Sequence, residues 1–144
     1  MDVQIHSFES IEEAARSPFP ENTLLISVGD TGAPPPRLAH KPRWMLRLVF
    51  DDIYPDEIER GDIMDGDTVF GESQAQQIAE FIAEHIGEAG TIICQCEYGQ
   101  SRSAAIAAAI KEHYEGNGIE IFADYRYYPN KLVYKILIKA LNKV

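Results

Sequence analysis

The chain has 144 residues, enough for one ordinary domain that buries its own core without disulfide staples. Apolar residues make up 45% and charged ones 25%, with 10 Gly and 8 Pro, a balance that excludes intrinsic disorder, collagen-like repeats and low-complexity classes. Lys and Arg number 13 against 23 Asp and Glu, and the formal charge of −10 repels nucleic-acid polymers and anionic membrane surfaces rather than gathering them.

Val3 to Phe8 predicts a short strand, and Glu9 to Ala15 a helical turn whose acidic start Ser10 is placed to cap. A second strand, Thr23 to Val28, ends at the turn signal Gly29-Asp30-Thr31-Gly32. The stretch from Ala33 to Pro42 holds Pro34, Pro35, Pro36 and Pro42 and must be a loop. Trp44 to Phe50 is a third apolar strand. The acidic segment Asp51 to Asp67, broken by Pro55, Gly61 and Gly66, reads as a surface loop. Ser73 to Ile86 carries Ala75, Ile78, Ala79, Phe81, Ile82 and Ile86, one apolar stripe of an amphipathic helix that Gly87 ends.

Thr91 to Cys96 is a short apolar strand, followed by a tight turn over Glu97 to Gln100 and an alanine-rich helix from Ser101 to Tyr114 that Gly116-Asn117-Gly118 stops. Ile119 to Phe122 reads as an extended piece, and Pro129 as the first residue of a last helix reaching about Leu141. The longest apolar run, Ala104 to Ile110, is far short of a bilayer span, and Met1-Asp2-Val3-Gln4 has no basic, apolar leader pattern. Two cysteines, Cys94 and Cys96, cannot form a secreted disulfide framework, so a cytoplasmic setting is expected. Strands alternating with helices predict a single α/β domain, residues 1–144, with a mostly parallel central sheet flanked by helices. Such sheets bind ligands at the carboxyl edge of their strands, which directs attention to the turn between Cys96 and Ser101.

That turn reads Cys96-Glu97-Tyr98-Gly99-Gln100-Ser101-Arg102-Ser103. A helix amino terminus presents unpaired N–H groups and the positive end of its dipole, so Glu97, Tyr98, Gly99, Gln100, Ser101 and Arg102 form a candidate anion cradle. Gly99 gives the backbone the freedom to aim several N–H groups inward. Arg102 offers a planar fork to two phosphate oxygens, and its charge favours the thiolate, the nucleophilic form of Cys96.

These residues resemble the signature of the cysteine-dependent protein tyrosine phosphatases, and the Gly-x-Ser-Arg-Ser ending is most similar to the dual-specificity branch. The resemblance covers about the carboxyl-terminal two thirds of the chain. It implies metal-free and cofactor-free hydrolysis of phosphomonoesters through a phosphocysteine: Cys96 as nucleophile, Arg102 and the loop as phosphate holders, and Ser103 as the hydroxyl that stabilises the departing thiolate. The family's acid sits at the end of the preceding strand, where Phe50-Asp51-Asp52 stands, and the Phe-x-Asp form implies Asp52. Asp62 and Asp65 are rivals, because the interval from Asp52 to Cys96 is long for compact members. Gln95 departs from the family's usual histidine; its amide can hydrogen-bond but supplies no charge. The implied partner is a phosphorylated protein or a small phosphomonoester, with phosphotyrosine first and phosphoserine or phosphothreonine after it.

Blander readings stand beside these. A phosphate-binding module with slow turnover would keep the same cradle, and arsenate reduction would need resolving thiols beyond Cys94. Cys94 shares the side of Cys96 and is either core packing or a partner for reversible oxidation. The carboxylates Asp56, Glu57, Glu59, Asp62, Asp65 and Asp67 lack the alternation of a calcium loop and read as solvated charge. His6, His40, His85 and His113 have no ligand spacing. Tyr125, Tyr127, Tyr128 and Tyr134, with Arg126 and Lys131, are read as packing of the last helix or, with Asn130, as a wall of the substrate pocket.

Overall fold

The computed structural model describes residues 1–144. The apolar runs become four parallel strands: β1 (Asp2–His6), β2 (Thr23–Gly29), β3 (Trp44–Val49) and β4 (Thr91–Gln95). They lie in the order β1-β4-β2-β3, so the expected α/β domain forms with an entirely parallel sheet. The central strands β2 and β4 are buried along their whole length, because parallel sheets are covered on both faces.

One face carries Leu24, Ile26, Val28, Ile92, Cys94 and Cys96 and packs beneath α3 (Glu72–His85), α4 (Arg102–Glu115) and α6 (Lys131–Leu141). The other carries Leu25 and Ile93 under Ile11 of α1 (Phe8–Ala14), with Phe19 and Leu38 closing the edge. In α6, Val133, Leu137 and Leu141 recur every four residues and are buried, each stabilising the fold by roughly 1.5–3 kcal/mol relative to exposure. Residues Ala104 through Ile110 of α4 are all inaccessible to solvent. The alanines let this helix approach the sheet and α6 closely, which fixes where its amino terminus lies beneath the β4 turn. Gly116 ends α4 in the left-handed conformation, φ 71°, with its N–H on the Glu112 carbonyl.

Four local expectations are corrected. The first helix starts at Phe8 and is capped by Ser7, whose hydroxyl accepts the Ser10 N–H at 3.0 Å; the Ser10 hydroxyl instead meets His6 Nδ1. The acidic segment is not all loop, since Pro55–Arg60 forms α2: Pro55 breaks a helix interior but suits a first turn, and Glu57 returns its carboxylate to the Tyr54 N–H. Ile119–Phe122 is the helical turn α5 rather than an extended piece, because its N–H groups bond locally; its Ile119/Ile121 alternation imitates a strand. Finally, α6 begins at Lys131. Pro129 therefore precedes the helix instead of opening it, and Asn130 caps it by accepting from the Leu132 and Val133 N–H groups at 3.0 and 3.2 Å.

Candidate active site

Cys96 follows the last residue of β4 and is held there by its N–H on the His6 carbonyl, 3.2 Å away. Its Sγ lies 3.0 Å from the Ser103 hydroxyl and 3.4 Å from the Ser103 N–H, in the first turn of α4. The thiol therefore sits at the positive end of that helix. Between the two, the chain turns at Gly99 with φ 68°, and a Cβ there would come within 2.7 Å of Ser7 N and 2.9 Å of the His6 carbonyl carbon. Only glycine satisfies both the backbone conformation and the close approach to the β1–α1 junction. The N–H groups of residues 97–102, six consecutive donors, bond to no acceptor in the protein.

Arg102 is 3% exposed. Its Nη1 donates to the Phe50 carbonyl at 2.7 Å and to Asp30 Oδ1 at 2.8 Å, which fixes the guanidinium plane between the ends of β2 and β3. Its Nε, a charge-assisted donor, is buried with no partner in the protein.

Asp52 and Asp51 part company at the end of β3. Asp52 Oδ1 accepts from the Ser101 hydroxyl at 2.7 Å and from Asn130 Nδ2 at 2.9 Å, with the Tyr54 hydroxyl at 3.5 Å from Oδ2. Asn130 also donates to the Ile53 carbonyl at 3.0 Å, and its buried side chain ties the acid, the β3 loop and α6 together. Asp51 instead accepts from Thr31 N, Thr31 Oγ1 and Thr68 N at 3.0, 2.6 and 2.7 Å. Burial alone would raise its pKa, but these hydrogen bonds and the Arg102 charge carry it below the ordinary aspartate value. Asp62 is exposed and paired with Arg60 at 2.7 Å.

Asp52, Tyr54, Cys96, Tyr98, Gln100, Ser101, Arg102 and Tyr128 line one cavity of about 180 Å³. Glu97 and Gly99 contribute backbone rather than walls; the Glu97 carbonyl accepts the Phe8 N–H at 3.0 Å. Tyr54 bonds the Ser101 hydroxyl at 2.8 Å, and burial, with Asp52 adding to it, raises its pKa, so the phenol keeps its proton at neutral pH. The turn before α6 is bound to the same loop, Tyr128 N–H to the Gln100 carbonyl at 2.8 Å and Asn130 N–H to the Ser101 carbonyl at 3.2 Å. The late tyrosines thus divide: Tyr128 walls the cavity, Tyr134 packs edge-on against Phe122 with ring centroids 5.0 Å apart, and Tyr125 is exposed.

Gln95 is fully buried and its Nε2 donates to the Cys96 carbonyl at 3.0 Å. Cys94 lies in the core, where burial pushes its thiol pKa up, and forms no disulfide. Core packing accounts for it. Sequence reasoning missed Asp30 and Tyr54. Asp30 was visible only as part of a turn, although its place at the carboxyl edge of a strand was a usable signal. Tyr54 stands two residues after Asp52, the spacing that returns an extended chain to the same side.

The fold, a parallel sheet whose β4 strand runs through the Cys96 loop into the buried helix α4, is shared with solved phosphatase structures. Human DUSP28 superposes with a TM-score of 0.59 over 98% of this chain and 92% of its own, at 16% identity. Tk-PTP in its active form matches at 0.56, over 100% and 94% of the two chains, at 14% identity. PTPMT1 matches at 0.53, over 85% and 78%, at 15% identity. At these identities the likeness is one of fold. Neither a family model nor a curated protein matches the sequence.

Proposed function

We propose that this protein is a cysteine-dependent phosphomonoesterase that hydrolyses phosphotyrosine, with phosphoserine and phosphothreonine as slower substrates. The observation that carries the reading is one cavity lined by Cys96, Asp52 and Arg102, whose Nε has no partner, beside a loop whose six N–H groups have no acceptor in the protein. Three tyrosines in the walls, Tyr54, Tyr98 and Tyr128, suit an aromatic ester. A neighbouring groove of about 530 Å³ shares Tyr54 and Tyr128 with the cavity and leaves room for a substrate larger than the phosphate group, such as a phosphorylated protein.

In the first step the Cys96 thiolate attacks phosphorus in line, an S–P bond forms, and the ester P–O bond breaks. The departing oxygen takes a proton from Asp52. Arg102 and the loop N–H groups hold the equatorial oxygens and their transition-state charge. In the second step water attacks the phosphocysteine, gives a proton back to Asp52 and releases inorganic phosphate. The Ser103 hydroxyl, 3.0 Å from Sγ, steadies the thiolate as it leaves. The mechanism uses a free thiol and so fits the reducing cytoplasm. No helix is long and apolar enough to cross a membrane.

The decisive experiment is rapid quench with phenyl phosphate, followed by mass spectrometry of the Cys96 peptide. The expected result is steady release of phenol and a trapped phosphocysteine. Phosphate binding without either would replace the enzyme by a phosphate-binding module.

A further inference from the structure

The face of the sheet opposite the core beneath α4 carries a row of polar side chains where apolar ones would be ordinary. Sheet register sets Arg47 of β3 beside Ser27 of β2, and Ser27 beside Gln95 of β4. The hydrogen bonds run in one direction. Arg47 Nη1 donates to Ser27 Oγ at 2.8 Å, the Ser27 hydroxyl donates to Gln95 Oε1 at 2.5 Å, and Gln95 Nε2 donates to the Cys96 carbonyl at 3.0 Å. Ser27 and Gln95 are buried, and each link consumes the acceptor of the next, so the three side chains can satisfy one another only in this arrangement.

The cation at the head of the row is held at a cost. Burial, and then repulsion from Arg102, lower the pKa of Arg47, while Asp30 opposes them; an arginine keeps its charge at neutral pH all the same. The charged groups that face it are Asp30 at the end of β2, Arg102 from α4 and Lys41, which lines the same small cavity. A partly buried guanidinium within the repulsive field of a second one calls for a reason.

The reason lies at the other end of the row. A trans peptide points its C=O and its N–H in opposite directions. Holding the Cys96 carbonyl on the Gln95 side leaves the Glu97 N–H, which has no acceptor in the protein, on the opposite side of that peptide. We propose that Arg47 is a positioning residue for the Cys96 loop, acting through Ser27 and Gln95 to fix the Cys96–Glu97 peptide with its N–H aimed at a bound phosphoryl oxygen. Gln95 alone brings no charge; Arg47 supplies it two hydrogen bonds away. The proposal rests on the phosphatase reading for its purpose, but its test does not require turnover.

The probe is inorganic phosphate, its affinity measured by calorimetry on the full chain. Arg47→Met and Ser27→Ala should each weaken binding about five- to tenfold, the worth of one aimed hydrogen bond, and the double variant no further than either alone. Arg47→Lys should restore part of the loss. Gly29→Ala offers a variant that removes no polar group: its Cβ would land on the Arg47 guanidinium, the far end of a flexible side chain, and push it off Ser27. It should weaken phosphate as Arg47→Met does. A merely structural role would lower the melting temperature of these variants and leave phosphate affinity unchanged, and that result in Gly29→Ala and Arg47→Met overturns the proposal. So does a double variant whose losses multiply. If phosphate follows the expected pattern but no phosphocysteine forms on phenyl phosphate, the catalytic reading falls and the relay stands. Turnover without the pattern overturns the relay alone, and a wild-type chain that neither binds phosphate nor forms phosphocysteine on phenyl phosphate overturns both.

Discussion

At the carboxyl edge of the sheet, Cys96 and Gln95 are consecutive residues in different neighbourhoods. Cys96 faces the amino terminus of α4, within 3.0 Å of the Ser103 hydroxyl, where unpaired N–H groups and Arg102 converge. Gln95 faces the other side, in a fully paired row with Ser27 and Arg47. The same division recurs at the end of β3, where Asp52 lines the cavity and Asp51 clasps Thr31 and Thr68. In both places the period of two sorts neighbours into one residue with free chemical capacity and one whose capacity is spent on structure. Unsatisfied donors and a half-used carboxylate cost stability, and they gather on the side where a ligand would satisfy them.

If that division is correct, substitutions on the reacting side cost rate and those on the supporting side cost binding geometry or stability. Cys96→Ser should lose all measurable turnover on phenyl phosphate while keeping the fold, because a hydroxyl is a near isostere but a far weaker nucleophile at neutral pH. Retained turnover would remove Cys96 from the chemistry. Asp52→Asn should lower kcat by roughly 10²- to 10⁴-fold on phenyl phosphate and far less on an ester of an acidic phenol, whose leaving oxygen needs no proton. A uniform loss across leaving groups would make Asp52 a scaffold for Ser101 and Asn130 rather than an acid. Arg102→Lys should cost about 10²- to 10³-fold in kcat/KM, since a point charge cannot hold the Phe50 carbonyl and Asp30 and still present an Nε donor to the substrate.

The Cys96 side was largely legible in the sequence because it is local. Cysteine, glycine, arginine and serine within eight residues mark the strand-to-helix turn at which the structure brings Cys96 and Ser103 together. Asp52 was legible from its position at a strand end. The supporting side was not. Ser27, Arg47 and Gln95 lie in three strands and meet only through the β3-β2-β4 register, which no local pattern specifies. The sequence offers Asn130 as a residue able to wall the pocket, but its contact with Asp52 spans 78 positions. The fold class followed from the strand and helix alternation. The misread pieces, α2 and α5, are short elements where a single proline or a two-residue alternation outweighed local hydrogen bonding.

The smallest expected effect isolates the structural member of the second pair. Asp51 has a folded-state pKa below its unfolded value, because Thr31 and Thr68 donate to the carboxylate. Its contribution is therefore complete above the ordinary aspartate value and disappears as the pH falls through the lower, folded value. Asp51→Asn keeps an acceptor oxygen for one of its donors but loses the charge, so the cost at neutral pH should be at most about 1 kcal/mol at this solvent-facing clasp. The variant should also lose part of the steepness with which wild-type stability falls in acid below the ordinary aspartate range. Urea unfolding at a series of pH values measures both. Its turnover on phenyl phosphate should stay close to wild type, because Asp51 does not line the cavity. If instead Asp51→Asn lost the leaving-group-dependent rate while Asp52→Asn kept it, the two carboxylates would have exchanged roles, and the division drawn at the end of β3 would have to be reversed there.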